Sequence, residues 1–111
     1  MTAAQLRQRL ELTVFSEAEP SREITGGYAG DLLSWVMGRA ESGDAWITIM
    51  SNQNIVAVAL LADAALVLLA EGVQPDEGVA ELARTNGVNL YGSRLPAFRL
   101  AAELAALRLP I

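Results

Sequence analysis

The sequence predicts an α/β fold, a small layered domain in which helices flank a mainly parallel β-sheet. Residues 45–50 are short, apolar and rich in β-branched side chains, and residues 65–69 are a second apolar run, as is typical of strands covered on both faces. Residues 55–62 between them are apolar on nearly every side, which predicts an enclosed helix. Strand, helix and strand within about thirty residues have the size of a parallel βαβ unit.

The remaining elements alternate in the same way along the chain. Thr2 is placed to cap an N-terminal helix, Asp31 to cap the helix before the central unit, and Gly87 to end the helix after it. This alternation predicts a single domain over residues 1–111. In chain order, the further predicted elements are a helix over 2–10, a half-buried strand over 11–15, a strand over 24–28 that runs into a glycine turn, a helix over 32–39, a helix ending near 86, a strand over 88–91 and a helix over 95–107.

A membrane-spanning helix is the competing interpretation of the most apolar stretch. A spanning helix requires about 20 uninterrupted apolar residues, whereas the run over residues 55–70 is shorter and contains Asp63. The first residues, MTAAQLRQRLEL, have no long apolar core and no cleavage-site pattern, so no secretion signal is predicted. We therefore expect a cytoplasmic protein.

The residue composition argues against several classes of chemistry. The 111 residues include no Cys and no His, and all 8 basic residues are Arg. The chain therefore lacks a thiolate nucleophile, the most common general base and metal ligand, and a phosphate-binding lysine. The acidic residues are scattered, so their spacing defines no metal site. We predict no catalytic residues, no metal and no cofactor, and hence a protein that is not an enzyme.

The balance of charged and apolar residues bears on partners. A net charge of -5 without a basic cluster argues against nucleic-acid binding and against an anionic membrane surface, since both rely on Lys and Arg. Hydrophobic residues make up 52% of the chain and charged residues only 19%. We therefore expect apolar surface to be buried between subunits, most simply in a homodimer.

The candidate ligand-binding residues lie where the predicted strands end. In open parallel sheets, ligands bind beyond the carboxyl ends of the strands, next to helix N-termini. The alternative is that these residues only form turns and caps, because turns have the same composition. Residues 25–30, TGGYAG, match neither of the glycine-rich phosphate-binding patterns, which favours a tight turn. The candidates are Thr25, Gly26, Gly27, Ser51, Asn52, Asn54 and Glu71, with Gly92 and Ser93 at a further strand end.

Three segments in combination resemble the small stand-alone DRTGG-domain proteins: residues 24–34 (ITGGYAGDLLS), 46–49 (WITI) and 54–59 (NIVAVA). The resemblance covers nearly the whole chain. It implies a fold similar to the N-terminal domain of HPr kinase/phosphorylase, which also occurs as a regulatory insert in some phosphate acetyltransferases and between the CBS domains of some inorganic pyrophosphatases. It further implies dimerisation, the relay of nucleotide binding, and a partner related to redox or hydrogenase systems.

The chain departs from this family pattern in the turn after the central strand. The family's Asp-Arg pair aligns with Ser51-Asn52-Gln53-Asn54, so a ligand contact made by that pair is not expected here. Short members are often labelled serine kinases, but this chain has no P-loop and no phosphate-binding lysine.

Together these observations predict a non-catalytic regulatory or scaffolding domain, homodimeric and acting through a partner protein. The alternative is a small-molecule sensor that binds a nucleotide or another anion at the carboxyl ends of the strands. An enzyme would have to use carboxylates, hydroxyls and Arg alone.

Overall fold

The computed structural model describes residues 1–109, which contain five helices and a five-stranded sheet. In chain order the elements are α1 (Ala3–Arg9), β1 (Thr13–Ser16), β2 (Gly26–Ala29), α2 (Leu33–Arg39), β3 (Asp44–Thr48), α3 (Asn54–Ala62), β4 (Leu66–Leu69), α4 (Val79–Thr85), β5 (Leu90–Gly92) and α5 (Ala97–Ala106). Residues 110 and 111, the end of the predicted single domain, lie outside the described residues. Within residues 1–109, none of the helices is long and apolar enough to span a bilayer.

The sheet is mixed and mostly parallel, as predicted. Its strand order is β1-β5-β4-β3-β2. The strands from β2 to β5 pair in parallel with their neighbours, and β1 joins the outer side of β5 antiparallel. The chain therefore steps across the sheet one strand at a time from β2 to β5, and each step requires a crossover helix.

Two hydrophobic cores cover the two faces of this sheet. Side chains alternate along β4, so Leu66 and Leu68 join the core beneath α1 and α5, whereas Val67 and Leu69 join the core beneath α2, α3 and α4. All four are fully buried. Burial of a side chain of this size stabilises a fold by about 1.5–3 kcal/mol. The layers are therefore helix, sheet and helix, and the prediction of strands covered on both faces is confirmed.

Two predicted helix ends, Thr2 and Gly87, are confirmed, and Asp63 forms a third. Thr2 caps α1 in a capping box, in which its hydroxyl accepts from the backbone N–H of Gln5 and the Gln5 side chain accepts from the N–H of Thr2. Asp63 ends α3 with φ +55°, and Gly87 follows α4 with φ +74°. Such left-handed residues end helices and are favoured as Gly or Asn.

The prediction for residues 55–62 is right about the helix and wrong about its enclosure. Ile55, Val56, Val58 and Ala59 are buried on the side that faces the sheet. The opposite side is apolar but faces solvent, with Leu61 74% exposed. The sequence shows that this side is apolar, but it does not show whether another element of the same chain covers it.

The prediction that Asp31 caps α2 is wrong. The helix begins after Leu32, which makes no side-chain capping hydrogen bond. The Asp31 carboxylate instead accepts from the Thr48 hydroxyl at 2.8 Å and from the backbone N–H of Ile49 at 3.0 Å. It therefore ties the carboxyl end of β2 to that of β3.

The first strand begins later than the prediction of 11–15. Glu11 has φ +53°, and the N–H of Leu12 donates to the carbonyl of Arg7, so these residues close the turn after α1. Only the residues from Thr13 onward pair with β5.

Candidate functional site

The parallel strands have their carboxyl ends on the same side of the sheet, which we call the carboxyl edge. Four of the predicted site residues lie there. Ser51, Asn52 and Asn54 follow β3, and Glu71 follows β4. Most of these residues are exposed or half-buried. The structure therefore places this part of the candidate set where ligands bind in open α/β sheets.

Thr25, Gly26 and Gly27 lie at the amino end of β2, away from the carboxyl ends of the strands. Their predicted position at a strand's carboxyl end is therefore wrong. Gly26 opens β2 and pairs with Asp44, the first residue of β3. The glycines belong to the strand itself, which tolerates them because β2 is at the edge of the sheet. Thr25 donates its hydroxyl to the carbonyl of Ser42 at 3.2 Å, across the turn that precedes β3.

The two glycines line an apolar cavity beneath α5. Its volume is about 150 Å³, and its other walls are apolar side chains of β2, β3 and α5 together with Leu109. Such a lining offers few polar groups to orient an anion. The pair therefore does not join the four residues at the carboxyl edge in one site.

The polar turn after β3 is held by its own hydrogen bonds. The Asn52 carboxamide oxygen accepts from the N–H of Asn54 at 2.9 Å, and the carbonyl of Ser51 accepts from the N–H of Asp76 at 2.9 Å. Hydrogen bonds from an Asn side chain to a backbone N–H two residues along are typical of turns that start a helix. They favour the same interpretation of this turn. Binding of a ligand by Ser51, Asn52 or Asn54 stays a prediction.

The turn after β4 is shaped by two successive left-handed residues. Glu71 has φ +62° and Gly72 φ +72°. Their N–H groups donate to Leu95 and Ser93, both at 2.9 Å, which ties this turn to the segment after β5. A left-handed conformation costs a non-glycine residue about 1 kcal/mol, and these two bonds offset that cost.

A polar cavity of about 200 Å³ is lined by the turns after β4 and β5 and by β1. Gly92 and Ser93 are predicted from the sequence as a strand end, whereas Arg94 is not among the predicted site residues, although its position shortly after a buried strand is a usable signal. The Arg94 side chain is exposed, and the ion pairs formed within residues 1–109 do not include it. The cavity is lined by Thr13, Phe15, Gly72, Val73, Gln74, Gly92, Ser93 and Arg94.

A second surface feature is apolar, and we name it the α2–α3 face. It consists of the exposed apolar side chains of these two neighbouring helices, among them Leu61 at 74% exposure and Trp35 at 51%. The Arg39 guanidinium stacks over the Trp35 ring, 3.7 Å from its centroid. The full set of the α2–α3 face is Trp35, Met37, Ala57, Leu60 and Leu61.

A group of three ionisable side chains joins α1, the segment after β1, and β5, and its role is structural. Arg7 of α1 donates to the Glu17 carboxylate at 2.8 Å, and Tyr91 of β5 donates its hydroxyl to the same oxygen at 2.6 Å. The Arg7 hydrogen bond, opposed by desolvation and aided by Tyr91, lowers the pKa of Glu17. Burial and then the hydrogen bond to Glu17 raise the pKa of Tyr91. The group therefore holds the N-terminal segment against the sheet.

A solved structure resembles this chain in its fold. No family model matches the sequence, and no curated protein matches it significantly. A solved structure of the CBS and DRTGG domains of the regulatory region of Clostridium perfringens pyrophosphatase, complexed with its activator diadenosine tetraphosphate, superimposes with a TM-score of 0.70 at 17% sequence identity. The alignment covers 98% of this chain and 47% of that chain, so this chain spans about half of its length. The chain thus has a small, DRTGG-like α/β fold similar to that of this regulatory region.

Proposed function

We propose that this protein is a non-catalytic regulatory domain that forms a homodimer through the α2–α3 face and acts through a partner protein. The observation that supports this most is the apolar, exposed side of α3. The fold similarity to a regulatory region agrees with such a role. The cytoplasmic location and a redox- or hydrogenase-related partner remain predictions from the sequence.

The chemistry of the α2–α3 face fits a protein interface better than a solvated surface. The sequence of α3, NIVAVALLA, contains no charged residue, whereas an ordinary surface helix has a polar stripe. Large exposed apolar surfaces mark interaction sites on soluble proteins, and Leu60 and Leu61 of α3 supply exposed apolar area here. The α2 helix contributes exposed Trp35 and Met37, two residue types that are enriched in interface cores. Arginine is also enriched there, and Arg39 stacks over Trp35.

A second copy of the chain is the simplest partner for this face. The α3 part of the face carries no charged side chain, and the Arg39 cation of α2 is stacked over the Trp35 ring. A two-fold axis would place the patch against itself, as in the isologous dimers that dominate among soluble oligomers.

Sedimentation velocity over a micromolar concentration series tests the proposal. The wild-type chain is expected to sediment as a dimer, and Leu61→Glu as a monomer, because the charge would be buried in the interface. Phe98→Glu is the matched control, since Phe98 is 84% exposed on α5, which covers the other face of the sheet. A monomeric wild type, or a Leu61→Glu variant that stays dimeric, would contradict the proposal.

The second candidate function is a small-molecule sensor at the carboxyl edge. The polar cavity beside Glu71 and Arg94 favours it. The structural relative is a region complexed with a nucleotide activator, which makes adenine nucleotides the first ligands to try. A thermal-shift screen would show stabilisation that grows with ligand concentration as RT ln(1 + [L]/Kd). Unchanged melting temperatures with every nucleotide would remove this candidate.

A further inference from the structure

The connections after β4 and β5 leave the sheet on opposite sides. The segment after β4 leads to α4, which packs with α3 on one face, and the segment after β5 leads to α5, which packs on the other face. Adjacent parallel strands whose connections diverge in this way leave a crevice beyond their carboxyl ends, and α/β proteins bind ligands in such crevices. In this chain a 2.9 Å hydrogen bond from the Gly72 N–H to the Ser93 carbonyl joins the two segments, and the crevice is the polar cavity that lies against them and against Thr13 and Phe15 of β1.

The walls of the crevice are set by two close contacts to glycine. The ring of Phe15 lies so near Gly92 that a Cβ atom there would be 2.6 Å from it. The aliphatic stem of Arg94 crosses Gly72, where a Cβ atom would lie 3.9 Å from Arg94 Cγ. Gly92 therefore allows the Phe15 ring to approach the backbone, and the stem of Arg94 lies beside Gly72 at ordinary contact distance on the border of the cavity.

We propose that this crevice binds the phosphate group of a small phosphorylated molecule, with Arg94 as its anchor. The guanidinium is a fixed positive charge with a fork of N–H donors that matches a phosphate oxyanion. The hydroxyls of Thr13 and Ser93 and the carboxamide of Gln74 line the same cavity and can donate to further oxygens. This inference rests on the sensor candidate above and names its site and ligand class.

The adjoining cavity indicates how the rest of the ligand lies. It shares Ser93 and Arg94 with the crevice and continues along Leu10, Glu11 and Leu95. Glu11 lines this adjoining cavity, and its carboxylate disfavours a bare anion there, whereas it can accept a hydrogen bond from a hydroxyl or amino group of an organic moiety. We therefore expect a phosphate ester to bind more tightly than inorganic phosphate.

Binding of ADP and of inorganic phosphate, followed by two-dimensional ¹H–¹⁵N NMR titration, tests the inference. The amide signals of Gly72, Gly92 and Ser93 are expected to shift, with a lower Kd for ADP than for inorganic phosphate. Arg94→Gln is expected to raise the Kd for ADP about tenfold or more, the effect of losing a charge-assisted contact. Arg84→Gln removes the same charge at the carboxyl end of α4, away from the crevice, and is expected to leave Kd unchanged.

Each other outcome overturns a distinct statement. If ADP binds the wild type and Arg94→Gln equally, the crevice is not the site, while the sensor candidate stands. If neither probe shifts the signals of the wild type at millimolar concentration, the proposed site fails, and the nucleotide screen decides the sensor candidate separately. The dimer proposal is decided separately by sedimentation in either case.

Discussion

Replacing Tyr91 by Phe removes one hydroxyl from the group that joins α1, the segment after β1, and β5. Tyr91 is fully buried, and its hydroxyl donates to a Glu17 carboxylate oxygen at 2.6 Å. The same oxygen still accepts from Arg7 after the substitution. The ring and its packing are retained, so the variant isolates the hydrogen bond.

The expected cost follows from the charge and the exposure of the acceptor. A hydrogen bond to a charged group contributes about 1.5–3 kcal/mol. The Glu17 side chain is 22% exposed and keeps its Arg7 partner, so water and Arg7 recover part of the loss. We expect the free energy of unfolding to fall by about 1–2 kcal/mol and the melting temperature by about 4–8 °C.

Urea unfolding at neutral pH, followed by circular dichroism, measures this difference. Tyr28→Phe is the matched control, because the hydroxyl of Tyr28 forms no hydrogen bond with the part of the chain described, residues 1–109. A change below about 0.5 kcal/mol in Tyr91→Phe, no larger than in Tyr28→Phe, would refute the assignment of this bond as stabilising.

Two further predictions concern pH and glycine. The pKa of Glu17 is lower in the folded than in the unfolded chain, so its contribution to stability is complete above about pH 5 and is lost as the pH falls through the lowered pKa. In Arg7→Gln the urea midpoint should fall less steeply with acid than in the wild type. Equal slopes would contradict Arg7 as the cause of the lowered pKa. Gly43 has φ +87°, and a Cβ atom there would lie 2.2 Å from the Thr25 hydroxyl, so Gly43→Ala is expected to reduce the free energy of unfolding by about 1–3 kcal/mol. Gly38→Ala in the last turn of α2 meets no atom within 4 Å and is expected to stabilise by about 0.5–1 kcal/mol, so a shift of the same sign in both glycine variants would contradict the account.

The sequence was sufficient for the fold because its strongest patterns are local. Residues 45–50 are apolar except for Thr48, residues 65–69 are apolar at every position, and short runs of this kind are typical of strands covered on both faces. Thr2 and Gly87 likewise act through backbone groups within a few residues of themselves. Such features do not depend on what the distant parts of the chain do.

The predictions that failed depended on neighbours far away in the sequence. Asp31 has the composition of a helix cap, but the carboxylate finds a hydroxyl and an N–H at the end of β3 instead. Gly26 and Gly27 have the composition of a turn, yet they open β2, an edge strand that α5 covers on one face. The exposure of Leu61 was equally hidden, since an apolar side chain does not indicate whether its cover lies in the same chain or in a partner.

Part of the candidate site was predictable and part was not. Glu71 and Ser93 follow buried strands, so their common edge follows from parallel pairing alone. The crevice between them also requires that α4 and α5 lie on opposite faces, which the sequence does not show. Arg94 could have been included on its position after β5.

The fluorescence of Trp35 tests the central claim, dimerisation through the α2–α3 face, most directly. Trp46 is fully buried and donates its indole N–H to the carbonyl of Gly30 at 2.8 Å, so its emission is expected to stay constant. Trp35 is 51% exposed, and burial in a dimer should shift its emission to shorter wavelength as the protein concentration rises. The account predicts this shift in the wild type and its loss in Leu61→Glu. An emission spectrum that does not change with concentration in a wild-type chain of constant, monomeric mass would contradict it.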